Sequence, residues 1–173
     1  VEPSSTGSVA SAGVHDTIPI RLRPIRQDDW RKLQRFHDRL SAETIGLRFH
    51  GAKRHLSEPL SHRFTSVDGH VDAAVVATTG TRGRIVGVAR YCTVQPGIAE
   101  VAFVVEDAFQ HHGIGHRLMK RLVAMARANG IDEFVAEVIP SNVPMLRLLH
   151  EAGPVSTTGS RGVCTARVHL SKS

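Results

Sequence analysis

An α/β (α+β) fold, with a mixed β-sheet covered by helices on both faces, is what the 173-residue sequence predicts. Three observations carry this expectation. Short runs alternate apolar and polar residues at a period of two, while longer stretches repeat apolar residues at the helical period. The two kinds of segment interleave along the chain, and no internal repeat is present. At the centre, a strand over 98–105, a helix after Gly113 and a strand over 134–139 form one unit. Its crossover makes the two strands parallel and right-handed.

The elements follow in order. Residues 1–16 are small and polar and cannot bury enough surface to offset the entropy of ordering, so they predict a flexible tail, with the folded domain over 17–173. Ile18, Ile20 and Leu22 alternate before Pro24 and predict a first strand. Trp30, Leu33, Phe36 and Leu40 then recur on one helical stripe over 29–40, with Asp28 as the expected N-cap. Ser41 can cap a second helix over 42–49, which ends before a loop at Gly51 to Arg54, and a third helical piece covers 58–67. Strands at 71–77 and 84–92 flank the turn Thr79-Gly80-Thr81-Arg82-Gly83. Ile114, Leu118, Leu122 and Ala126 mark a helix of about 17 residues, stopped by Gly130. After 134–139, the turn Pro140-Ser141-Asn142 leads into a helix over 143–152, ended by Gly153-Pro154, and two closing strands follow, the last over 163–170.

Composition narrows the function classes. With 41% hydrophobic and 22% charged residues the chain is neither disordered, collagen-like nor a coiled coil. No apolar run reaches the roughly 18 residues of a membrane span and no signal peptide opens the chain, so the expected location is cytoplasmic. Cys92 and Cys164 lack CxxC spacing and are expected to be buried single thiols. The formal charge is +6, and residues 21–63 hold eleven basic and five acidic side chains. This excess has no Lys/Arg run and few aromatics, which suits a phosphate or an acidic protein surface better than nucleic acid.

The segment from Ala99 to Gly115 carries the chemistry. Gly113 and Gly115, at a strand-to-helix turn, let backbone N–H groups point outward where the helix dipole favours an anion. A P-loop would need Gly-Lys-Ser/Thr after four residues, and a dinucleotide fingerprint a third Gly where Leu118 stands. A glycine pair that merely shapes a tight turn remains the plain alternative. His112 and His116 are spaced for a helical metal pair but lack a third ligand, so no metal is expected. No Cys-His-acid arrangement supports a cysteine nucleophile.

Gln110-His111-His112-Gly113-Ile114-Gly115 resembles the Q/R-x-x-G-x-G/A pyrophosphate motif of the GNAT superfamily of acyl-CoA-dependent N-acyltransferases. Ala99-Glu100-Val101-Ala102-Phe103 is similar to the strand before that motif in its lysine-acetylating members, and Asn142-Val143-Pro144-Met145 to its CoA-contacting turn. Arg23-Pro24-Ile25-Arg26 and Leu40-Ser41-Ala42-Glu43-Thr44 carry a narrower likeness to the GNAT domains of bacterial protein lysine acetyltransferases. The resemblance implies a mostly antiparallel GNAT sheet and acetyl transfer from acetyl-CoA to a primary amine, a protein lysine first, by direct attack in a ternary complex. It implies Glu100 as general base, with acetyl-CoA along Phe103, Val104 and Val105. It also places the cofactor over Gln110, His111, His112, Gly113, Ile114, Gly115, His116 and Arg117, and against Asn142 and Met145. An acidic-surfaced protein is the expected acceptor. A small-molecule amine, or an acyl-CoA sensor with weakened catalysis, is the alternative. Two departures bear on these expectations. Leu149 stands where many members carry a proton-donating Tyr, and His111 and His112 replace the customary Gly and Arg or Lys, for which His116 or Arg117 would compensate.

Overall fold

A computed structural model describes residues 19–49, 55–159 and 162–170. The expected tail and the loop at Gly51 to Arg54 lie outside them. Seven strands form one sheet: β1 (Ile20–Pro24), β2 (Asp72–Thr79), β3 (Arg84–Gln95), β4 (Ile98–Val105), β5 (Glu133–Val138), β6 (Val155–Thr158) and β7 (Cys164–His169). Their order is β1-β2-β3-β4-β5-β7-β6, and only β4 and β5 run parallel. The helices are α1 (Trp30–Asp38), α2 (Ala42–Phe49), α3 (Glu58–Thr65), α4 (Ile114–Ala128) and α5 (Val143–Ala152). The mixed sheet, its parallel strand-helix-strand centre and the helices on both faces are as the sequence predicts. The penultimate strand is β6, an exposed edge paired to β7.

Period-two alternation on the inner strands supplies two cores, one on each face. Ala73, Val75, Tyr91 and Val101 pack with Leu118 and Leu122 of α4 and Leu149 of α5. Ala74, Val76, Ile85 and Val88 point the other way, onto Leu33 and Phe36 of α1, Ile45 of α2 and Leu56. The helix stripes and the strand alternation thus agree on a single arrangement.

The start of α1 differs from expectation. Asp28 is exposed and does not cap; a 3-10 turn over Gln27–Asp29 precedes the helix, and Asp29 is the buried carboxylate. It accepts the Arg26 N–H at 2.9 Å and both terminal nitrogens of Arg23, at 2.6 and 2.8 Å. This tie joins the end of β1 to α1. Burial alone would raise the Asp29 pKa, but the bonds from Arg23 and the Arg26 N–H outweigh it and hold the carboxyl below its usual range.

Because the folded value lies below the unfolded one, the Asp29 tie stabilises the fold above the ordinary carboxylate range, near pH 4, and is lost as pH falls through the folded pKa. Asp29→Asn is therefore expected to be less stable than the native chain from pH 5 to 7. The gap should close in acid, as read by urea unfolding at a series of pH values.

Candidate active site

The site starts from an interruption in the sheet. β4 and β5 pair over three positions only, Ile98 with Glu133, Ala99 with Phe134 and Glu100 with Val135. Beyond Glu100 each strand keeps only its outer neighbour: β4 stays on β3 as far as Val105 opposite Gly87, and β5 stays on β7 as far as Val138 opposite Cys164. A cleft opens between them toward the carboxyl ends of the strands. Along it, alternate backbone N–H and C=O groups of 101–105 face no strand. Phe103 and Val105 turn their side chains to the α4 core and Val104 to the α1–α3 core, so β4 offers the cleft its main chain.

The loop from β4 to α4 closes the end of this cleft. After a 3-10 turn at Asp107–Phe109, His111 (φ 62°) and Gly113 (φ 72°) take the left-handed conformation. For His111 this is strained backbone, and for Gly113 it is the ordinary use of a glycine. A Cβ on Gly113 would meet nothing within 4 Å, so the turn is open in front of the α4 N-terminus. The N–H groups of the first helical turn, from Ile114 onward, have no intrahelical partner there. Gly115 serves a different purpose: a Cβ there would lie 3.2 Å from Leu148, so its absence brings α5 against the first turn of α4.

The remaining expected cofactor residues mostly shape this loop. Gln110 Nε2 donates to the Val105 carbonyl at 3.1 Å and to Thr44 Oγ1 at 3.3 Å, folding the loop back onto β4 and α2. His112 Nδ1 donates to the Gln110 carbonyl at 2.6 Å. His116 Nδ1 donates to Glu151 on α5 at 2.7 Å, and Arg117 Nη2 to the Ile20 carbonyl at 2.9 Å. The Asn142 side chain accepts the Met145 N–H at 3.2 Å and so caps α5, while Met145 is half-buried against the core.

Glu100 is exposed on β4 and shares a face with Ala102 and Val104, toward α1–α3. Next to it a cavity of about 40 Å³, lined by Phe36, Leu40, Ala102, Val104, Arg48 and Arg90, lies between these helices and the sheet. Burial, with Arg90 adding repulsion and Glu100 opposing it, brings Arg48 down to about 10. Cys92 lies opposite Glu100 in the β3–β4 register. It is exposed and Cys164 half-buried, which corrects the expectation of buried thiols: Cys92 falls at the outer end of β3, on the strand position beside Tyr91, whose ring takes the core. A hydrogen bond with Asp72, then burial, push the Cys92 thiol up to about 11, so it is protonated at neutral pH and a poor nucleophile. Tyr91 is fully buried, donating to the His70 carbonyl at 3.0 Å and accepting from Asn129 at 2.7 Å, and Leu149 is fully buried too.

Sequence reasoning missed the tie between α2 and the β4–α4 loop. Asp107 accepts from the Ser41 N–H (3.0 Å), the Ser41 hydroxyl (2.6 Å) and the Thr44 hydroxyl (2.7 Å). The Thr44 N–H donates to Ser41 Oγ at 3.1 Å, so the expected Ser41 cap is present and is itself held by Asp107. Beside it, the buried Glu106 takes Arg39 Nε at 3.1 Å and also Arg84. Arg39 is thereby occupied and Arg48 is half-buried beside the cavity, so neither belongs to the exposed basic face of α1. Arg31 and Arg35 on α1 are exposed.

The chain belongs to the acetyltransferase (GNAT) family, whose family model matches residues 28–153. It is 31% identical over 153 residues to Acetyltransferase Pat of Mycolicibacterium smegmatis, covering 86% of this chain and 45% of that protein. The chain thus spans less than half the length of that relative. The crystal structure of the GNAT domain of S. lividans PAT superposes with a TM-score of 0.79 at 33% identity, covering 87% of this chain and 90% of that one. A GNAT superfamily phosphinothricin acetyltransferase from Sinorhizobium meliloti, solved in complex with AcCoA, shares the fold with a TM-score of 0.69 at 20% identity, over 87% of this chain and 88% of its own. Among the described residues, no group of three or more His, Cys, Asp or Glu could hold a metal ion, and no helix is long and apolar enough to cross a membrane.

The Asp107 carboxyl is held below its usual range, since the bonds from Ser41 and Thr44 outweigh burial, and the tie is complete at neutral pH. Asp107→Ala removes three acceptor contacts from the first turn of α2. Amide hydrogen exchange across Ala42–Ile45 is expected to quicken by about tenfold or more, while α4 keeps its protection.

Proposed function

We propose that this chain transfers an acetyl group from acetyl-CoA to a primary amine, with a protein lysine as the acceptor and Glu100 as the general base. One observation carries the proposal: Glu100 is the last residue of β4 that pairs with β5, so its carboxylate stands where the cleft opens. Acetyl-CoA fits the cleft in kind. The unpaired edge of 101–105 suits the amides of the pantetheine arm, and the open turn at Gly113 with the first N–H groups of α4 suits the pyrophosphate.

A lysine of pKa about 10.4 is neutral in about one part in a thousand at pH 7.4, an obstacle of about 4 kcal/mol. Glu100, directly or through water, takes the proton from the ammonium. The neutral nitrogen then attacks the thioester carbonyl carbon, and a β4 backbone N–H near Val104 or Val105 holds the oxygen as it becomes anionic. The C–S bond breaks, CoA leaves as the thiolate, and the second proton, lost from the nitrogen as the amide forms, passes to that thiolate or to water. A thiolate is a far better leaving group than an alkoxide or amide, which makes that departure feasible without a protein acid and suits a chain with Leu149 at the family's tyrosine position. Direct transfer is also what the raised thiol of Cys92 favours over an acyl-cysteine. Arg31 and Arg35, with Lys32 beside them, leave a basic face on α1 for an acidic-surfaced acceptor.

Glu100→Gln keeps the shape and removes the proton acceptor. Turnover is expected to fall about 10²- to 10⁴-fold with acetyl-CoA affinity retained, and part of the loss should return at high pH. Labelled acetyl-CoA with a cell lysate should mark discrete proteins at lysine. Label confined to small amines would replace the acceptor class, and CoA binding without any acceptor would point to the sensor.

A further inference from the structure

Arg90 is not used by the transfer chemistry described above. It lies on β3 opposite Ala102, one step along the face from Cys92, which is opposite Glu100. It is therefore a diagonal neighbour of Glu100, about 7–8 Å away between backbones and within reach of two long side chains. Arg90 is one of the residues around the cavity beside β4, whose walls are mostly apolar. Among the described residues it makes no hydrogen bond and no ion pair. Its one close partner is the Phe64 ring, whose centroid is 4.6 Å from the guanidinium carbon. Contact with an aromatic ring holds the plane of the group but satisfies none of its five N–H donors. The groups that act on it are Asp72, Cys92 and Glu100, which favour its charge, and Arg63 and Arg48, which oppose it. Neither carboxylate comes within 4 Å.

A half-buried guanidinium beside a second arginine is a costly arrangement without an anion. Around Arg90 the described residues supply an aromatic brace and adjoining space but no anion within ion-pair distance. We propose that Arg90, with Arg48 adding positive potential, is a specificity-determining residue that binds a carboxylate of the acceptor while the acceptor amine lies at Glu100. This rests on the acceptor face proposed above and narrows its substrate class to amines with a carboxylate within about one side-chain length. Arg is suited to the task because its planar fork takes a carboxylate through two parallel hydrogen bonds. The carboxylate can belong to an acidic residue beside the target lysine or to a free amino acid.

Two acceptor pairs separate these sources: a lysine peptide with Glu beside the lysine against the same peptide with Gln, and free lysine against its methyl ester. The native chain is expected to prefer the carboxylate member of at least one pair by about tenfold or more in kcat/KM, the size of a charge-assisted pair. Arg90→Gln should bring that ratio to about one, chiefly through KM, and Arg90→Lys should restore part of it. Preference within the peptides identifies a flanking acidic residue, and preference within the lysine pair a free amino acid; either supports the site. A ratio near one in the native chain, or Arg90→Gln lowering all four acceptors alike, overturns it. If nothing is acetylated, the transfer reading falls, and equilibrium binding of the Glu and Gln peptides to the CoA-saturated chain decides the anion site. A Glu preference that Arg90→Gln removes supports it, and equal binding overturns it. Arg90→Lys also guards against misreading a folding defect, since it keeps the charge and the Phe64 contact.

Discussion

Two strands that stop pairing after three residues fix the rest of this molecule. β4 and β5 are joined only from Ile98 to Glu100 and from Glu133 to Val135, so the sheet is two ladders sharing a short hinge of parallel pairing. A seam with free main-chain groups would be a liability if it were covered by apolar side chains. Here it is left open at one end, and every feature of the site is referred to it. Glu100 marks where it begins, residues 101–105 form one wall, and the α4 N-terminus closes its far end.

The two sides are kept apart and in register by contacts of different kinds. On the α4 side, the missing side chain of Gly115 lets Leu148 seat α5 against the helix start, and His116 reaches Glu151 across the same junction. On the opposite face, two adjacent carboxylates do the work. Glu106 holds Arg39 and Arg84, and Asp107 holds the first turn of α2. Both follow directly from the end of β4. The same loop therefore sets the open turn at Gly113 and the position of the helix that carries Arg48, so the two share one support.

Much of the fold was legible because periodicity and caps are local. The strand at 98–105 and the helices at 42–49 and 143–152 coincide with the structure at both ends, since Ser41 and Asn142 are caps that a reader can see. The open turn at Gly113 was legible for a similar reason, as a positive-φ glycine precedes an amphipathic helix. What local pattern could not supply was pairing between distant segments. Asp107 and Ser41 are 66 residues apart, and nothing in either neighbourhood announces the other. β4 and β5 read as complete strands, so their early divergence was invisible. The basic excess over 21–63 carried no sign that Arg39 is engaged, because its partners, the Ile85 carbonyl and Glu106, come from β3 and the loop after β4. Asp28 read as the cap because nothing local announces the Arg23 pair that buries Asp29 instead.

The claim on which the account turns is that the open edge of β4 and the start of α4 form one continuous ligand surface. Backbone amide NMR of the chain titrated with desulfo-CoA measures this directly. The account predicts that the largest shifts fall on residues 101–105 and 110–117, with smaller ones at 142–145. Shifts confined to other elements, or none at millimolar ligand, would contradict it.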